Sequence, residues 1–171
     1  MLRFFGPLSR FGLAIAAAIL VADQATKFIV LNRLGLSPGE ALVLTPFLDL
    51  VLTFNRGISY GLWPQSSEFG RNLLIVLSLA AACFFVLWLG RTSSRLVAAA
   101  LGLLIGGAIG NAIDRALYGA VVDFISLHAL GWRWYVFNLA DSAIVAGVLG
   151  LLYDGLLVGA TKTPPSRGTE T

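Results

Sequence analysis

Residues 137–153 read "FNLADSAIVAGVLGLLY". After Asp141 no charge appears until Asp154, and nearly everything between is apolar. Continued to Val158, the run is long enough to cross a hydrocarbon core of about 30 Å at about 1.5 Å per residue. The stretch reads as a membrane span that opens on two polar residues, Asn138 and Asp141. Three further runs, at about 11–31, 72–90 and 96–113, have the same character. Composition agrees. Of 171 residues 57% are hydrophobic and only 12% charged, about half the usual share for a soluble domain. Mean hydropathy is +0.84. The expected fold class is an all-α membrane protein with four transmembrane helices, built as one small domain over residues 1–160. No internal repeat relates the spans.

The connections set an orientation. "RTSSR" at 91–95 is a tight turn with two arginines, whereas 32–71 and 114–136 are longer and carry most of the acids. With both termini and the short turn in the cytoplasm, six basic residues lie inside (Arg3, Arg10, Arg91, Arg95, Lys162, Arg167). Five lie outside: Arg33, Arg56, Arg71, Arg115 and Arg133. That is the sense of the positive-inside rule. Glu40, Asp49, Glu68, Asp114, Asp123 and Asp141 then fall on the outer side. The net charge of +3 is therefore read through loop position and not as affinity for nucleic acid. Residues 161–171 are polar and Pro-containing and read as a disordered cytoplasmic tail. The first span has basic residues and alanines like a signal peptide. It continues as "VADQATKFIVLNRL", however, and is read as a retained span.

The first outer segment, about 36–63, contains "ALVLTPFLDLVLTFN", which is β-branched, aromatic and roughly alternating. It reads as short strands at the membrane surface, with Phe47, Phe54, Tyr60 and Trp63 suited to the interface.

Polar residues inside or beside the spans are the functional candidates, because charge at membrane depth is costly. Asp23 and Lys27 are four apart on one helix face and can pair. A structural pair, with Lys27 snorkelling outward, is weighed ahead of direct chemistry. Gly102, Gly106 and Gly110 form a smooth stripe that admits a neighbouring helix. Asn111, Asp114 and Arg115 follow it and share one side. Asp123 sits in "GAVVDFI", where apolar neighbours favour a protonated carboxyl, although a solvated acid in a short strand is also open. Asn138 and Asp141 have the spacing of a helix cap, and that reading stands beside a catalytic one. Two carboxylates converging in a dehydrated site suit acid–base peptide hydrolysis: one activates water and the other, protonated, polarises the carbonyl.

Other chemistries fit less well. There is one histidine, His128, and no H-E-x-x-H, so a metalloprotease is disfavoured. His128 reads as a polar surface residue. "GISYG" at 57–61 matches G-x-S-x-G, but Pro64 follows too soon for a helix starting at Ser59. A Ser59–Lys27 pairing fares no better. A transporter subunit or assembly factor would not depend on an Asp pair, and no matched broken helices support transport. Cys83, the single cysteine, lies in an apolar run and reads as a small buried or lipid-facing residue.

Five stretches in order resemble one family: "DQATK" (23–27), "FNRGISYG" (54–61), "GGAIGNAIDR" (106–115), "VVDF" (121–124) and "FNLADS" (137–142). The chain is similar to the bacterial lipoprotein signal peptidases, also called signal peptidase II, from Asp23 to about Ala146. The resemblance implies an aspartic intramembrane endopeptidase of the bacterial inner membrane, with its site on the outer side. It implies cleavage of prolipoproteins just before a diacylglyceryl-modified cysteine. It further implies a small extracytoplasmic β-cradle, contact with membrane lipid, inhibition by globomycin-type peptides, and no metal or other cofactor. The family's catalytic pair falls on Asp123 and Asp141. Its active-site surroundings fall on Asn111, Arg115 and Asn138, and further motif positions on Asp23, Lys27, Asn55, Gly57, Gly110 and Asp114. Lys27 and Arg115 are open to either a fold-stabilising or a substrate-orienting role. A monomer is expected. The chain departs from the family at Ile58, Ser59 and Tyr60, where Ala-Ala-Phe is usual; this puts the groove shape in doubt and argues against a serine nucleophile.

Overall fold

A computed structural model describes residues 5–57 and 67–158 of the chain. It has four long helices: α1 Ser9–Asn32, α2 Glu68–Leu89, α3 Arg95–Tyr118 and α4 Leu139–Tyr153. A wider helical turn, Asp154–Val158, continues α4. All four are long and apolar enough to cross a membrane, and one stands where each span was expected.

Their ends differ from the hydropathy reading, and local capping explains why. The second helix begins at Glu68, four residues before 72. The Ser67 side chain accepts from the Gly70 amide there, and Glu68 sits at the positive helix end. The third continues past 113 to Tyr118 and stops on Gly119, whose φ of 73° gives a left-handed C-cap. The fourth starts at Leu139, because Phe137 forms a β-bridge with Ile125.

The bundle is built around α3. In its most apolar stretch 67% of residues are buried, against 11–22% in the other three helices, whose remaining apolar surface faces outward. The glycine stripe makes this possible. A Cβ on Gly102 would collide with the Gly12 carbonyl oxygen, and one on Gly106 would fall 2.6 Å from that of Ala16. Helix α1 therefore lies directly on the α3 backbone. On another side of α3, a Cβ at Gly107 would fall 2.6 Å from the Ala140 carbonyl oxygen of α4. Cys83 on α2 is exposed, in keeping with a lipid-facing residue.

Four antiparallel strands form one sheet in the order β1-β2-β3-β4: Ala41–Thr45, Leu48–Asn55, Val121–Ala129 and Trp132–Arg133. The first two lie where alternation placed them, and Phe47 and Phe54 are exposed there. The other two come from the second connection, where a short strand around Asp123 was open but its place in a sheet was not expected. Two causes are visible. Val121–Ile125 carries apolar residues on both faces around Asp123 and gives no clear alternation. The β3–β4 turn is Leu130-Gly131, with φ of 51° and 83°, and lacks the Asn-Gly signature of such a turn. Val30, Leu52, Val122 and Phe124 form a small core that joins the sheet to the end of α1. Residues 58–66, with Ile58, Ser59, Tyr60 and Trp63, and the tail over 161–171 lie outside the described residues.

Candidate active site

Asp123 is the third residue of β3 and pairs with Thr53 of β2. It is 1% exposed. Asn55 Nδ2 donates to its Oδ2 at 3.0 Å, and Asn138 Nδ2 donates to its Oδ1 at 2.7 Å. Burial, and then the charge of Asp141, push this carboxyl up to about 7. The two asparagine hydrogen bonds and Lys27 pull the other way without prevailing. The structure thus buries the acid that could have been a solvated strand residue.

Asp141 stands in the first turn of α4, and the capping and site readings of this turn both hold. Asn138 Oδ1 accepts from the Asp141 amide at 2.9 Å, and Asp141 Oδ2 accepts from the Asn138 amide at 3.3 Å. Together they make a capping box. Asp141 Oδ1 accepts from Asn111 Nδ2 of α3 at 2.8 Å. Asn138 therefore binds both acids, Asp123 through its side-chain amide and Asp141 through its main chain. It is fully buried, and its Nδ2 also lies 3.2 Å from Asn111 Oδ1.

Behind this pair lies a second polar group. Lys27 Nζ is 2.7 Å from Asp23 Oδ2 and 2.6 Å from Asp114 Oδ2, all three being almost wholly buried. The expected Asp23–Lys27 pair is present, but Lys27 does not snorkel outward. Asp114 holds it in the helix interface, with Asn111 Oδ1 3.4 Å away. Gln24, which sequence reasoning did not single out, donates to Asp114 Oδ1 at 3.0 Å and Asp23 Oδ2 at 3.2 Å. Each acid also takes a main-chain amide: Asp114 from Val122 at 3.1 Å, Asp23 from Ala140 at 3.0 Å. A Cβ on Gly110 would fall 2.6 Å from Asp23 Oδ2, so only glycine leaves room for this carboxylate.

Asn111, Asp114 and Arg115, expected on one side, fan out. Asp114 turns to Lys27 and Asn111 bridges to Asp141. Arg115 reaches the Gly57 carbonyl at 3.3 Å while remaining in electrostatic range of Asp141 and Asp123. Gly57 in turn donates to Asn55 Oδ1 at 3.0 Å.

Asp123 and Asp141 line one cavity of about 780 Å³. Its walls are Thr53–Gly57 of the sheet end, Trp134–Phe137 before α4, and Ser142, Val145, Ala146 and Leu149 on α4. Apolar walls with two acids sharing one asparagine suit a reaction in which one carboxyl donates a proton and the other takes one from water. Among the described residues, no group of three or more His, Cys, Asp or Glu side chains could hold a metal ion.

A further polar cluster lies outside the cavity lining. Asp49, buried in β2, accepts from Arg133 Nη1 at 3.1 Å, and His128 Nε2 lies 3.1 Å from the same Oδ2. Arg133 also donates to Ser126 Oγ at 3.4 Å. His128 is thus half-buried in a clasp across three strands and is no plain surface residue. The register Asp49–Ser126, which brings these groups together, has no signal in the sequence.

The model of the signal peptidase (SPase) II family matches residues 15–157. A lipoprotein signal peptidase of Methylobacterium radiotolerans is 54% identical over 167 residues, 93% of this chain and 94% of that protein. That of Methylocella silvestris is 51% identical over 159 residues, 92% and 93% of the two chains. A solved structure described as a bacterial membrane enzyme superposes with a TM-score of 0.80 at 26% identity, covering 91% of this chain and 93% of the other. A second, described in the same words, gives 0.76 at 27% identity, covering 92% and 98%. Close relatives along nearly the whole length, and a shared architecture beyond them, agree that this multi-pass membrane protein is a peptidase of lipoprotein processing and belongs to the signal peptidase II family.

Proposed function

We propose that the protein is an intramembrane aspartic endopeptidase. It removes the signal peptide from prolipoproteins whose lipobox cysteine already carries a diacylglyceryl group, cutting just before that cysteine. The observation that carries this reading is the single cavity lined by Asp123 and Asp141, with Asn138 hydrogen-bonded to both. One carboxyl enters protonated and polarises the scissile carbonyl. The other, ionised, takes a proton from water, and the pair acts as one coupled unit. Desolvation of Asp123 suits a group that keeps its proton near neutrality. The apolar α4 wall suits a signal helix lying alongside, while the acyl chains remain in lipid.

The site faces the outer side of the bacterial inner membrane, with both termini in the cytoplasm, because basic residues favour the inner connections. Residues 1–160 work as a single monomeric peptidase domain, and 161–171 form its polar tail. Asn111, Asn55 and Arg115 orient the two acids, and Gly57 positions Arg115. Globomycin-type peptides inhibit by occupying the cavity.

Wild type, Asp123→Asn, Asp141→Asn and Ser59→Ala are purified in detergent and given a prolipoprotein with and without its diacylglyceryl group. Both Asn variants are expected to fold and lose at least about 1,000-fold in turnover, a cost typical of removing one member of a catalytic unit. Ser59→Ala is expected to cut lipidated substrate as wild type does. Normal cleavage by either Asn variant would refute the dyad.

A further inference from the structure

Two main-chain contacts behind the cavity have a common pattern. Asp114 accepts from the amide of Val122, one residue before Asp123, and Asp23 accepts from the amide of Ala140, one residue before Asp141. Lys27 ties the two acids together, at 2.6 and 2.7 Å. We infer that Asp23, Lys27 and Asp114 are positioning residues that set the separation of the two reacting carboxylates by gripping the backbone beside each. The inference rests on the aspartic dyad proposed above.

The geometry favours this over a plain helix-to-helix ion pair. Joining α1 to α3 needs only one acid and one base. Here a second acid is present, and each acid keeps an oxygen contact for one amide of the two segments that bear the dyad. Neither segment can shift without breaking a charge-assisted bond in a buried setting, where such bonds are strong. Gly110 supports the same reading, because any side chain there would press on the Asp23 carboxylate. Arg115 reaches the Gly57 carbonyl, and Asn111, 3.4 Å from Lys27, donates to the Asp141 side chain, so neither grips these amides.

The test separates positioning from glue. A buried ionic group replaced as a whole by apolar residues of similar size often leaves stability unchanged. In the variant Asp23→Leu/Lys27→Met/Asp114→Leu the charges leave together, and the melting temperature is expected to fall only by what the Val122 and Ala140 amides lose with their acceptors. This variant should lose about 100-fold in kcat with KM little changed, as expected for a small displacement of reacting groups. The two limbs of its pH–rate profile should also draw together, because carboxylates held further apart interact less. A simple loss of charge would move both limbs in one direction. A folded triple variant with wild-type kcat and profile overturns the inference. If the triple variant does not fold, Gly110→Ala decides: the same kcat loss and narrowed profile support positioning, and wild-type values overturn it. Asp123→Asn and Asp141→Asn run alongside. If they cut, the dyad itself has failed; if they are dead while the triple variant works, only the positioning role has.

Discussion

Asp123 holds a proton more tightly than an ordinary carboxyl because of its surroundings: burial and the neighbouring charge of Asp141 outweigh two asparagine hydrogen bonds and Lys27. A carboxyl raised to about 7 in the folded state binds its proton more tightly there than in the unfolded chain. Stability is therefore greatest below the ordinary carboxyl range and falls as pH rises towards about 7, levelling above it. Between pH 5 and 8 the melting temperature of wild type in detergent is expected to fall relative to that of Asp123→Asn, which lacks the titration. Parallel curves would show that Asp123 titrates normally. Asn138 has two duties that substitution can part. Asn138→Ala removes the cap, worth about 1 kcal/mol, together with the bond to Asp123. Asn138→Ser can restore the cap but is too short to reach Asp123. Thermal melting should recover in the serine variant, while turnover should stay about 100-fold down in both, the cost of one lost preorganised donor. The residue types at the site were legible in the sequence, because acids and amides at membrane depth stand out against apolar neighbours. The direction of Lys27 was not, because Asp114, which turns it inward, lies on another helix.

At the scale of elements, the four spans could be read from hydropathy alone, but their ends could not. Ser67, Gly119 and the Phe137–Ile125 bridge set those ends through hydrogen bonds that hydropathy does not register. The glycine stripe was legible for the opposite reason: spacing and size are sequence properties, and the contact needs nothing more. Gly106→Val should push α1 off α3, since its Cβ would fall 2.6 Å from the Ala16 carbonyl oxygen. Overpacking of this kind costs about 1–3 kcal/mol, seen as a lower melting temperature in detergent. Gly155→Ala, where nothing lies within 4 Å of the added carbon, should leave melting unchanged.

Across the whole molecule, the cavity exists because two distant connections share one sheet. Strand β2 brings Asn55 and β3 brings Asp123, while α4 returns beneath them with Asp141. This long-range closure was the least legible part of the fold. Its register is fixed by pairings between residues far apart in sequence, and its last turn uses Leu130 where Asn would have announced it. The buried charges of α1 have a consequence for how the molecule comes into being. Asp23 and Lys27 are made first, but Asn111 emerges 84 residues after Lys27, and the Ala140 amide 117 residues after Asp23. Until then the newborn first helix carries an ion pair in the bilayer with its further valences open, at a cost lipid cannot relieve. A chain that stops before α4 therefore leaves the charges of its first helix without their full set of partners.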